Sequence, residues 1–504
     1  MASPIVLRWQ SPGERLLINF LISRKQVKEF QARVGNEQMD AVDKQWDMNV
    51  DVLVIGAGGC GLAAAIAAHD EGAQVAIVEK RDKPGGNTAL STGSIPGAGS
   101  RFQKAANIID SPEIMIADLE RIAGQHELSQ VSDYLSRISA ELCEWLVDSV
   151  PARMSLITDY CHVGHSVPRL HAPASRRGQD LMDDLLAGVA KRDIALAVGN
   201  PVQSLLTSSD GDVIGALIAG KGVESSRIKA SKVILACNGF AANRDLVKEF
   251  CPEIAGAEYF GALGSQGEAV QWGRALGAGL ANMAAYQGYA AVAYPHGSLL
   301  SWTTLEKGGV LVNSQGERFG NEDIGYSGYA RLVLEQQTEV FAIFDDRIKT
   351  IADKEDEFRD LVELGGIKAA ASTAELAALF NLPVDKLANT LASYNQAADG
   401  KAADRFGRNK FGLAPLQTKY WICRVTPGLF HTQGGLKIDT TGHVLRRDGS
   451  RIPNLFAGGG AAGGISGRAG AAGYASGNGL LTAIGLGYVS GRTAVQELGL
   501  NLAQ

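Results

Sequence analysis

The sequence predicts an α/β fold in which a nucleotide-binding domain is interrupted by a smaller α+β domain. A strand-helix-strand unit with a glycine-rich turn lies between residues 51 and 80. From about residue 287 to 429 the pattern changes to short strands and helices with more charge, and glycine-rich strands return after that. A chain of 504 residues normally forms two or more domains. We therefore expect a nucleotide-binding domain at 48–286 and 430–504, an inserted domain at 287–429 and an N-terminal arm at 1–47.

The strand-helix-strand unit reads "DVLVIGAGGCGLAAAIAAHDEGAQVAIVEK". The apolar run at 50–55 is typical of a parallel strand that is buried on both faces. The glycines that follow fit G-x-G-x-x-G and open an alanine-rich helix, and Glu79 ends the next strand at the expected distance. This context predicts a Rossmann-type site, with a pyrophosphate at the helix start and a ribose on Glu79. The alternative is a tight turn followed by an ordinary strand-end glutamate.

Composition and charge exclude several classes of function. The net charge of −6 argues against a nucleic-acid surface. The six cysteines contain no C-x-x-C pair, which predicts neither a metal site nor a disulfide framework and favours a reducing, cytoplasmic location. No apolar run reaches the roughly 18 residues of a membrane span.

The first 47 residues contain one apolar segment, "LLINFLI", without a small-residue cleavage site after it. We therefore predict no export signal. We interpret 1–47 as a loosely attached arm, with Met39 or Met48 as alternative functional starts.

Two further glycine-rich segments indicate which dinucleotide binds. "KRDKPGGNTALSTGSIPG" directly follows Glu79, and "NLFAGGGAAGG" lies near the C-terminus, ahead of "SGNGLLTA". A flavin's ribityl chain and ring would use the second turn, whereas a nicotinamide would not need it. "SGNGLLTA" reads as a helix start, with Ser476 or Asn478 as cap, directed at the flavin's pyrimidine edge. The single fingerprint leaves no obvious second site for NAD(P)H, so the predicted cofactor is FAD.

With these segments the chain resembles the fumarate reductase/succinate dehydrogenase flavoproteins over roughly residues 48–500. The resemblance rests on the segments above and on "VILACNGF", "GGVLVNSQGERFGNED", "YNQAADGKAADRFGR", "FHTQGGLKID" and "LFAGGGAAGGISG". It implies a flavin domain interrupted by a capping domain, with FAD between them. The residues expected to bind the cofactor are Gly56, Gly58, Gly59, Gly61, Glu79, Lys80, Gly85, Gly86, Asn87, Thr88, Ser91, Thr92, Gly93, Cys237, Asn238, Gly239, Gly459, Gly460, Ser476, Asn478 and Leu480.

The chain departs from this family at functional positions. Asn87 stands where the complex II enzymes attach FAD through a histidine, which implies non-covalent FAD. In "NEDIGYSGYAR", Tyr326 stands near the place of the family's proton-donating arginine. The segment "SGRAGAAGYASGNGLLTA" replaces a carboxylate-gripping arginine segment, and its "GYASG" is similar to a loop of the 3-ketosteroid dehydrogenases. That resemblance implies that Tyr474 abstracts a proton next to a ketone and that Ser476 assists.

The chemistry of the residues agrees with this departure. A phenol suits a neutral, apolar ketone, whereas arginines suit a dicarboxylate. Tyr474 and Ser476 are two residues apart and would point the same way in an extended loop. The following helix start, or a nearby Tyr326, would favour the phenolate over the ordinary phenol. The alternative role for Tyr474 is packing against the flavin.

Four other polar residues remain open at this level. His431 matches a substrate-binding histidine of the family or is a buried structural residue. Arg468 is either a carboxylate clamp or a surface arginine. Arg169 and His171 lie in a segment similar to the family's loop near FAD or substrate, with a structural role as the alternative; His296 lacks the family's motif.

The sequence thus predicts an FAD-dependent oxidoreductase that forms or reduces a C=C bond next to a carbonyl. A 3-ketosteroid or similar apolar cyclic ketone is the expected substrate, with an external electron acceptor or donor. One alternative is a fumarate-type reductase of unsaturated carboxylates. Another is a subunit that only relays electrons through its flavin.

Overall fold

The computed structural model describes residues 46–219, 225–471 and 473–500. The predicted N-terminal arm lies outside these ranges except for its last two residues. Within the described ranges, the strands form two large sheets, each with its own hydrophobic core. The predicted α/β class is confirmed.

The first sheet is built around strand β1 (Met48–Ile55), which is followed by helix α1 (Gly59–Asp70) and strand β2 (Val75–Glu79). β1 pairs in parallel with β2 on one side and with Ser226–Leu235 on the other. Its apolar residues are buried on both faces, which explains the continuous apolar run. The remaining strands of this sheet are Ala195–Val198, Val202–Thr207, Val213–Ile218, His443–Leu445 and Arg451–Ala457.

The second sheet is mostly antiparallel and belongs largely to the inserted segment. Its two long strands are β3 (Ala284–Ala293) and β4 (Tyr420–Thr432), which pair with each other. The other strands are Glu258–Tyr259, Val310–Asn313, Val340–Asp345, Ile367–Ala370 and Ala469–Gly470. Phe240 and Leu246 also pack into this core, although they precede the predicted boundary at 287. The domain boundaries stay a prediction.

Helices cover both sheets. The inserted segment contributes α2 (Gly325–Glu335), and α3 (Asn478–Leu498) is the last described helix. The other α-helices are Gly86–Ala89, Arg101–Ala105, Pro112–Ala123, Ser129–Asp148, Gly178–Lys191, Arg244–Phe250, Glu268–Ala275, Thr303–Glu306, Asp346–Ala352, Asp356–Glu363, Thr373–Ala378 and Val384–Ala398. Small two- and three-stranded sheets are formed by Ile95–Pro96, Met154–Leu156 and Leu170–Pro173, and by Leu280–Ala281 and Gly435–Leu436. In the described ranges, no helix combines the length and apolar character needed to cross a membrane.

Helices α1 and α3 pack with their backbones in close contact. A Cβ atom on Gly487 would lie 2.3 Å from the carbonyl oxygen of Cys60, and one on Gly491 would lie 2.3 Å from that of Ala64. Only glycine allows this approach. The contact fixes the start of α3 beside the glycine turn between β1 and α1.

Candidate active site

A cavity of about 1470 Å³ lies at the carboxyl ends of the parallel strands, between the two cores. In sheets of this kind, ligands bind at that edge. The volume exceeds the roughly 300–1,000 Å³ of a pocket for a drug-sized ligand. The cavity therefore has room for a large ligand such as a dinucleotide and for a second molecule beside it.

The glycines of the turn after β1 serve two purposes: some line the cavity, and another allows helix α1 to pack closely. A Cβ atom on Gly58 would meet nothing closer than the Gly85 carbonyl oxygen at 3.6 Å, and Gly58 lines the cavity. A Cβ atom on Gly61 would lie 1.8 Å from the Gly56 carbonyl oxygen. Gly56 and Gly59 also line the cavity, whereas Gly61 lies behind it and allows α1 to pack against the turn.

Glu79 ends β2 at the cavity wall. Its Oε2 accepts the Ala57 N–H at 2.8 Å, and its Oε1 accepts the Arg81 N–H at 2.8 Å. Each carboxylate oxygen keeps a further lone pair for a ribose hydroxyl. The neighbouring Lys80 lines the cavity but forms an ion pair with Glu268.

The second glycine-rich segment forms one wall. The predicted residues that line it are Gly85, Gly86, Asn87, Thr88, Ser91 and Thr92. Gly93 is not among the lining residues, because it packs beside Pro173 and Gly178. Asn87 Oδ1 accepts the backbone N–H of Ala262 at 2.7 Å, so this side chain joins two walls of the cavity.

The third wall combines the segment after strand Ser226–Leu235 with the glycines near the C-terminus. Cys237, Asn238, Gly459 and Gly460 line the cavity as predicted residues. Gly239 does not line it, because this glycine is packed against Thr432; a Cβ atom there would lie 2.6 Å from Thr432 Oγ1.

The start of α3 faces the cavity, but its cap differs from the prediction. The N-cap is Gly477 with φ 82°, and no side chain caps the helix. Neither Ser476 nor Asn478 lines the cavity; Asn478 is buried below the helix start, 3.5 Å from Ser466 Oγ. Gly477, Gly479 and Leu480 do line it. Uncapped N–H groups and the positive helix end favour an electron-rich ligand here.

These observations fit FAD. The open face of Gly58 leaves space for a pyrophosphate, and the α3 start suits the flavin's pyrimidine edge. Gln433 Nε2 is buried without a hydrogen-bond partner and belongs to a cavity-lining residue, so it has a donor to offer a ligand.

Three of the four predicted proton-transfer residues lie on the cavity wall. Tyr474, Tyr326 and His431 all line the cavity. Tyr326 lies in the first turn of α2, and its ring centroid is 5.4 Å from that of Tyr474 in an edge-to-face arrangement. Ser476 lies outside the lining and reaches the site through its interaction with the Tyr474 hydroxyl.

The protein alone keeps Tyr474 protonated at neutral pH. Burial raises the pKa of Tyr474, and hydrogen bonding with Tyr326, Ser476 and Gln287 offsets part of this increase. Burial, with the neighbouring Tyr474, also holds the pKa of Tyr326 well above its usual value. The phenolate expected from the helix start is therefore not the resting state.

The loop that carries Tyr474 is held from behind by a buried polar network. The Ser476 N–H donates to the Val163 carbonyl oxygen at 3.0 Å, and His165 Nε2 lies 2.8 Å from the Ser476 carbonyl oxygen. Arg169 Nη1 lies 3.1 Å from His165 Nδ1 and is fully buried between Asp110 and Asp118. Burial lowers the pKa of His165 to about 4, so this imidazole is neutral.

The other polar residues left open by the sequence lie away from the cavity lining. Arg468 is 67% exposed and 3.7 Å from Glu127. His171 is buried, with Nε2 2.9 Å from Ser100 Oγ. His296 is exposed and does not line the cavity either.

Sequence reasoning missed the aromatic residues that line the cavity beside Tyr326. Tyr289 and Phe430 stack with centroids 5.5 Å apart, and Tyr289 also lies 5.0 Å from Tyr326. Phe260 lines the cavity beside them. These rings form an apolar surface with phenol groups at one end. Tyr289 and Phe430 lie in the largely apolar strands β3 and β4, a pattern that predicts burial but not which rings meet.

Gln287 was also missed. It lies on β3 directly opposite His431 on β4, and its Oε1 is 2.5 Å from His431 Nε2. Gln287 lines the cavity. A single polar residue in the otherwise apolar strand "AAYQGYAAVA" is the signal that could have identified it.

The chain is similar in sequence to several known proteins. The FAD binding domain family matches residues 51–479. The NADH:fumarate oxidoreductase of Klebsiella pneumoniae (strain 342) is 31% identical over 435 residues, which are 85% of this chain and 46% of that protein. The fumarate reductase (cytochrome) of Shewanella frigidimarina is 31% identical over 470 residues, which are 92% of this chain and 80% of that protein. The chain therefore spans about half the length of the first relative and most of the second.

Two solved structures are similar in fold to this chain, and each is 27% identical to it in sequence. The open conformation of a flavocytochrome c3 fumarate reductase gives a TM-score of 0.78 over 92% of this chain and 81% of that chain. The 3-ketosteroid-delta4-(5alpha)-dehydrogenase from Rhodococcus jostii RHA1, in complex with 4-androstene-3,17-dione, gives a TM-score of 0.74 over 90% of this chain and 98% of that chain.

Proposed function

The chain belongs to the FAD binding domain family that includes the fumarate reductase flavoproteins, and within it we propose a ketone-directed activity. It is an FAD-dependent oxidoreductase acting on CH–CH groups. The proposed reaction forms or reduces a C=C bond next to the carbonyl of a 3-ketosteroid or a similar apolar cyclic ketone. The observation that carries the proposal is the pair of phenols, Tyr474 and Tyr326, at the cavity wall.

Each phenol has a role in this reaction. FAD, when bound, supplies hydride transfer to or from carbon. In the direction of C=C formation, the substrate would lose a hydride to bound FAD, and the Tyr474 oxygen would take a proton from the neighbouring carbon after the resting phenol has released its own proton to solvent. Hydrogen bonding with Tyr326 and Ser476 lowers the pKa of Tyr474 and so favours the phenolate that accepts this proton. Reduction is the reverse.

The surroundings of the phenols support an apolar substrate. Tyr289, Phe430 and Phe260 present ring surface to the cavity. The arginines among the described lining residues are Arg81, next to Glu79, and Arg176, which lies 3.8 Å from Asp159. A dicarboxylate would call for paired arginines beside the phenols. Similarity to the Rhodococcus 3-ketosteroid dehydrogenase, whose structure contains a bound steroid dione, also supports this substrate class.

A reductase of unsaturated carboxylates is the second candidate. It is favoured by the names of the Klebsiella and Shewanella relatives, both of which are fumarate reducing enzymes. A subunit that only relays electrons is the third, and it would have no use for two phenols at the substrate end of the cavity. For any of the three, we propose an external electron donor or acceptor. We also keep a cytoplasmic location as a proposal, supported by six unpaired cysteines.

Reoxidation of the reduced flavin tests the proposal. The FAD-loaded protein is reduced anaerobically with dithionite and mixed separately with androstenedione, fumarate and a cinnamate-like enone, while the flavin absorbance is followed. We expect the steroid enone to reoxidise the flavin fastest. Fumarate turnover at a rate comparable with that of any ketone would reject the ketone proposal. No reoxidation by any of the three would favour the relay function.

A further inference from the structure

His165 has a defined direction of hydrogen bonding, because each of its two partners can act in only one way. Burial lowers the pKa of His165 to about 4, so the imidazole carries a single N–H. Arg169 Nη1 lies 3.1 Å from His165 Nδ1, and a guanidinium group only donates. His165 Nε2 lies 2.8 Å from the Ser476 carbonyl oxygen, which only accepts. Nδ1 is therefore the acceptor, and Nε2 carries the N–H that donates to Ser476.

Arg169 is held in place beside this histidine. Its side chain is fully buried, its Nε and Nη2 each donate to Asp110 at 2.9 Å, and its Nη1 donates to Asp118 at 2.8 Å. Asp118 also accepts the N–H and the hydroxyl of Ser166, the residue after His165, at 2.8 Å each. Two carboxylates thus fix the guanidinium group, and the guanidinium group determines which nitrogen of His165 is protonated.

Ser476 is bound at both of its backbone polar groups by the segment that carries His165. Its N–H donates to the Val163 carbonyl oxygen at 3.0 Å, and its carbonyl oxygen accepts from His165. In the described part of the chain, the backbone of residues 473–476 forms hydrogen bonds to a distant segment at Ser476 only. These two bonds are therefore the nearest backbone anchors of Tyr474, which lies two residues earlier.

The two segments are in close contact between these hydrogen bonds. Gly164 has a φ of 89°, and a Cβ atom on it would lie 2.5 Å from the Cβ atom of Ala475. Only glycine allows this approach. Gly477, directly after Ser476, is the N-cap of α3. A shift of this segment would therefore move both the phenol of Tyr474 and the start of α3.

We propose that His165 is a positioning residue for the proton transfer: its Nε2–H, directed by Arg169, holds the Ser476 carbonyl oxygen and thereby keeps the Tyr474 hydroxyl in place at the cavity wall. This inference rests on the proposed function, because it gives Tyr474 the proton transfer. His165 is not among the residues that line the cavity, so it acts through the backbone of the loop. A displacement of about 1 Å at a reacting group can cost roughly 100-fold in rate, even when its cause lies far from the chemistry.

Two substitutions separate the hydrogen bond from the bulk of the side chain. His165→Gln keeps a donor for the Ser476 carbonyl oxygen and an acceptor for Arg169, whereas His165→Met has no donor and only a weak acceptor. His171→Met is the control, because His171 is also buried but forms its hydrogen bond elsewhere and lies outside the cavity lining.

Two measurements are made on each FAD-loaded variant. In one, 3-fluorotyrosine at position 474 gives a ¹⁹F signal that reports the position and mobility of this ring without any substrate. In the other, the reduced flavin of the protein without fluorotyrosine is reoxidised by androstenedione, and the rate at saturation and KM are determined separately. Thermal unfolding of the same variants measures their stability.

We expect His165→Met to shift or split the ¹⁹F signal and to lower the rate at saturation by about 10- to 100-fold, with KM unchanged. His165→Gln should restore both, and His171→Met should alter neither, even where it lowers thermal stability. An unchanged signal in His165→Met would overturn the proposal, as would equal changes in His165→Gln or in the control. A signal displaced in His165→Met and restored in His165→Gln, in a protein whose flavin no ketone reoxidises, would reject the proposed function while keeping the role of His165 in holding the loop.

Discussion

The rings of Tyr326 and Tyr474 meet edge to face, with their centroids 5.4 Å apart, although one begins helix α2 of the inserted segment and the other precedes α3. The proposed proton-transfer site therefore needs both parts of the chain in place around the cavity. Because the two phenols lie on different segments of the chain, the contribution of each can be measured by replacing it alone.

Replacing Tyr474 by Phe keeps the ring and removes the hydroxyl. We expect the chemical step to fall by about 10²- to 10⁴-fold, the usual contribution of general acid–base catalysis. Tyr326→Phe and Ser476→Ala should cost less, because both residues act through the Tyr474 oxygen. Stopped-flow measurement of the flavin step, with flavin content as the control, checks this. A Tyr474→Phe protein that reacts at the parent rate would return Tyr474 to a packing role.

The same substitution at two glycines of one turn separates cofactor binding from folding. Gly58→Ala introduces a Cβ atom into the cavity at an ordinary 3.6 Å from Gly85, in an extended backbone that alanine accepts. It should abolish FAD binding and leave the thermal unfolding of the FAD-free protein unchanged. Gly61→Ala meets the Gly56 carbonyl oxygen at 1.8 Å and should prevent folding. FAD retained by a folded Gly58→Ala protein would contradict the path proposed for the pyrophosphate.

The link between protein and FAD is expected to be non-covalent, because Asn87 stands where the complex II enzymes carry a histidine and its side chain holds the Ala262 N–H. Precipitation with acid should release all the flavin into the supernatant. Yellow colour that stays with the precipitated chain would refute this expectation.

The stability of the fold should depend on pH through two buried histidines. Burial lowers the pKa of His165 and of His171 to about 4 in the folded state, below the ordinary 6.5. Between these values the unfolded chain binds more protons, so the free energy of unfolding rises with pH. It should fall by up to about 1.4 kcal/mol per pH unit per histidine as pH drops from 6.5 towards 4, and both contributions should be flat above 6.5.

Urea unfolding between pH 4.5 and 7.5 measures this slope. His165→Gln keeps an N–H donor for the Ser476 carbonyl oxygen but cannot titrate, so it should remove the share of the slope that His165 contributes. An unchanged slope would assign the pH dependence to other groups.

Arg468 distinguishes the two enzyme classes. Because its side chain is exposed and lies outside the cavity lining, Arg468→Ala should leave KM unchanged for an apolar ketone. A carboxylate clamp would lose about 1.5–3 kcal/mol of binding, seen as a rise in KM for fumarate. Steady-state kinetics with both substrates decides between these outcomes.

The sequence predicted the parts of the site that depend on local backbone chemistry. The turn at Gly56 and Gly58, the wall around Thr88 and the loop of Tyr474 each follow from glycine spacing within a short segment. Gln287 and the stacked Tyr289 and Phe430 could not be found in this way, because the pairing of β3 with β4 brings together positions far apart in the chain. The role of Arg169 also depends on its burial between two aspartates, which no local pattern reveals.

The close backbone contact between α1 and α3 has a consequence for synthesis on the ribosome. Gly487 and Gly491 complete the surface on which α1 rests, so the first nucleotide-binding segment emerges long before its partner helix exists. Most of the second sheet, including β3 and β4, is synthesised before α3, and domains generally fold as units during synthesis. The second sheet is therefore expected to fold first on the nascent chain. The alanine-rich α1 stays accessible to chaperones until α3 has been synthesised.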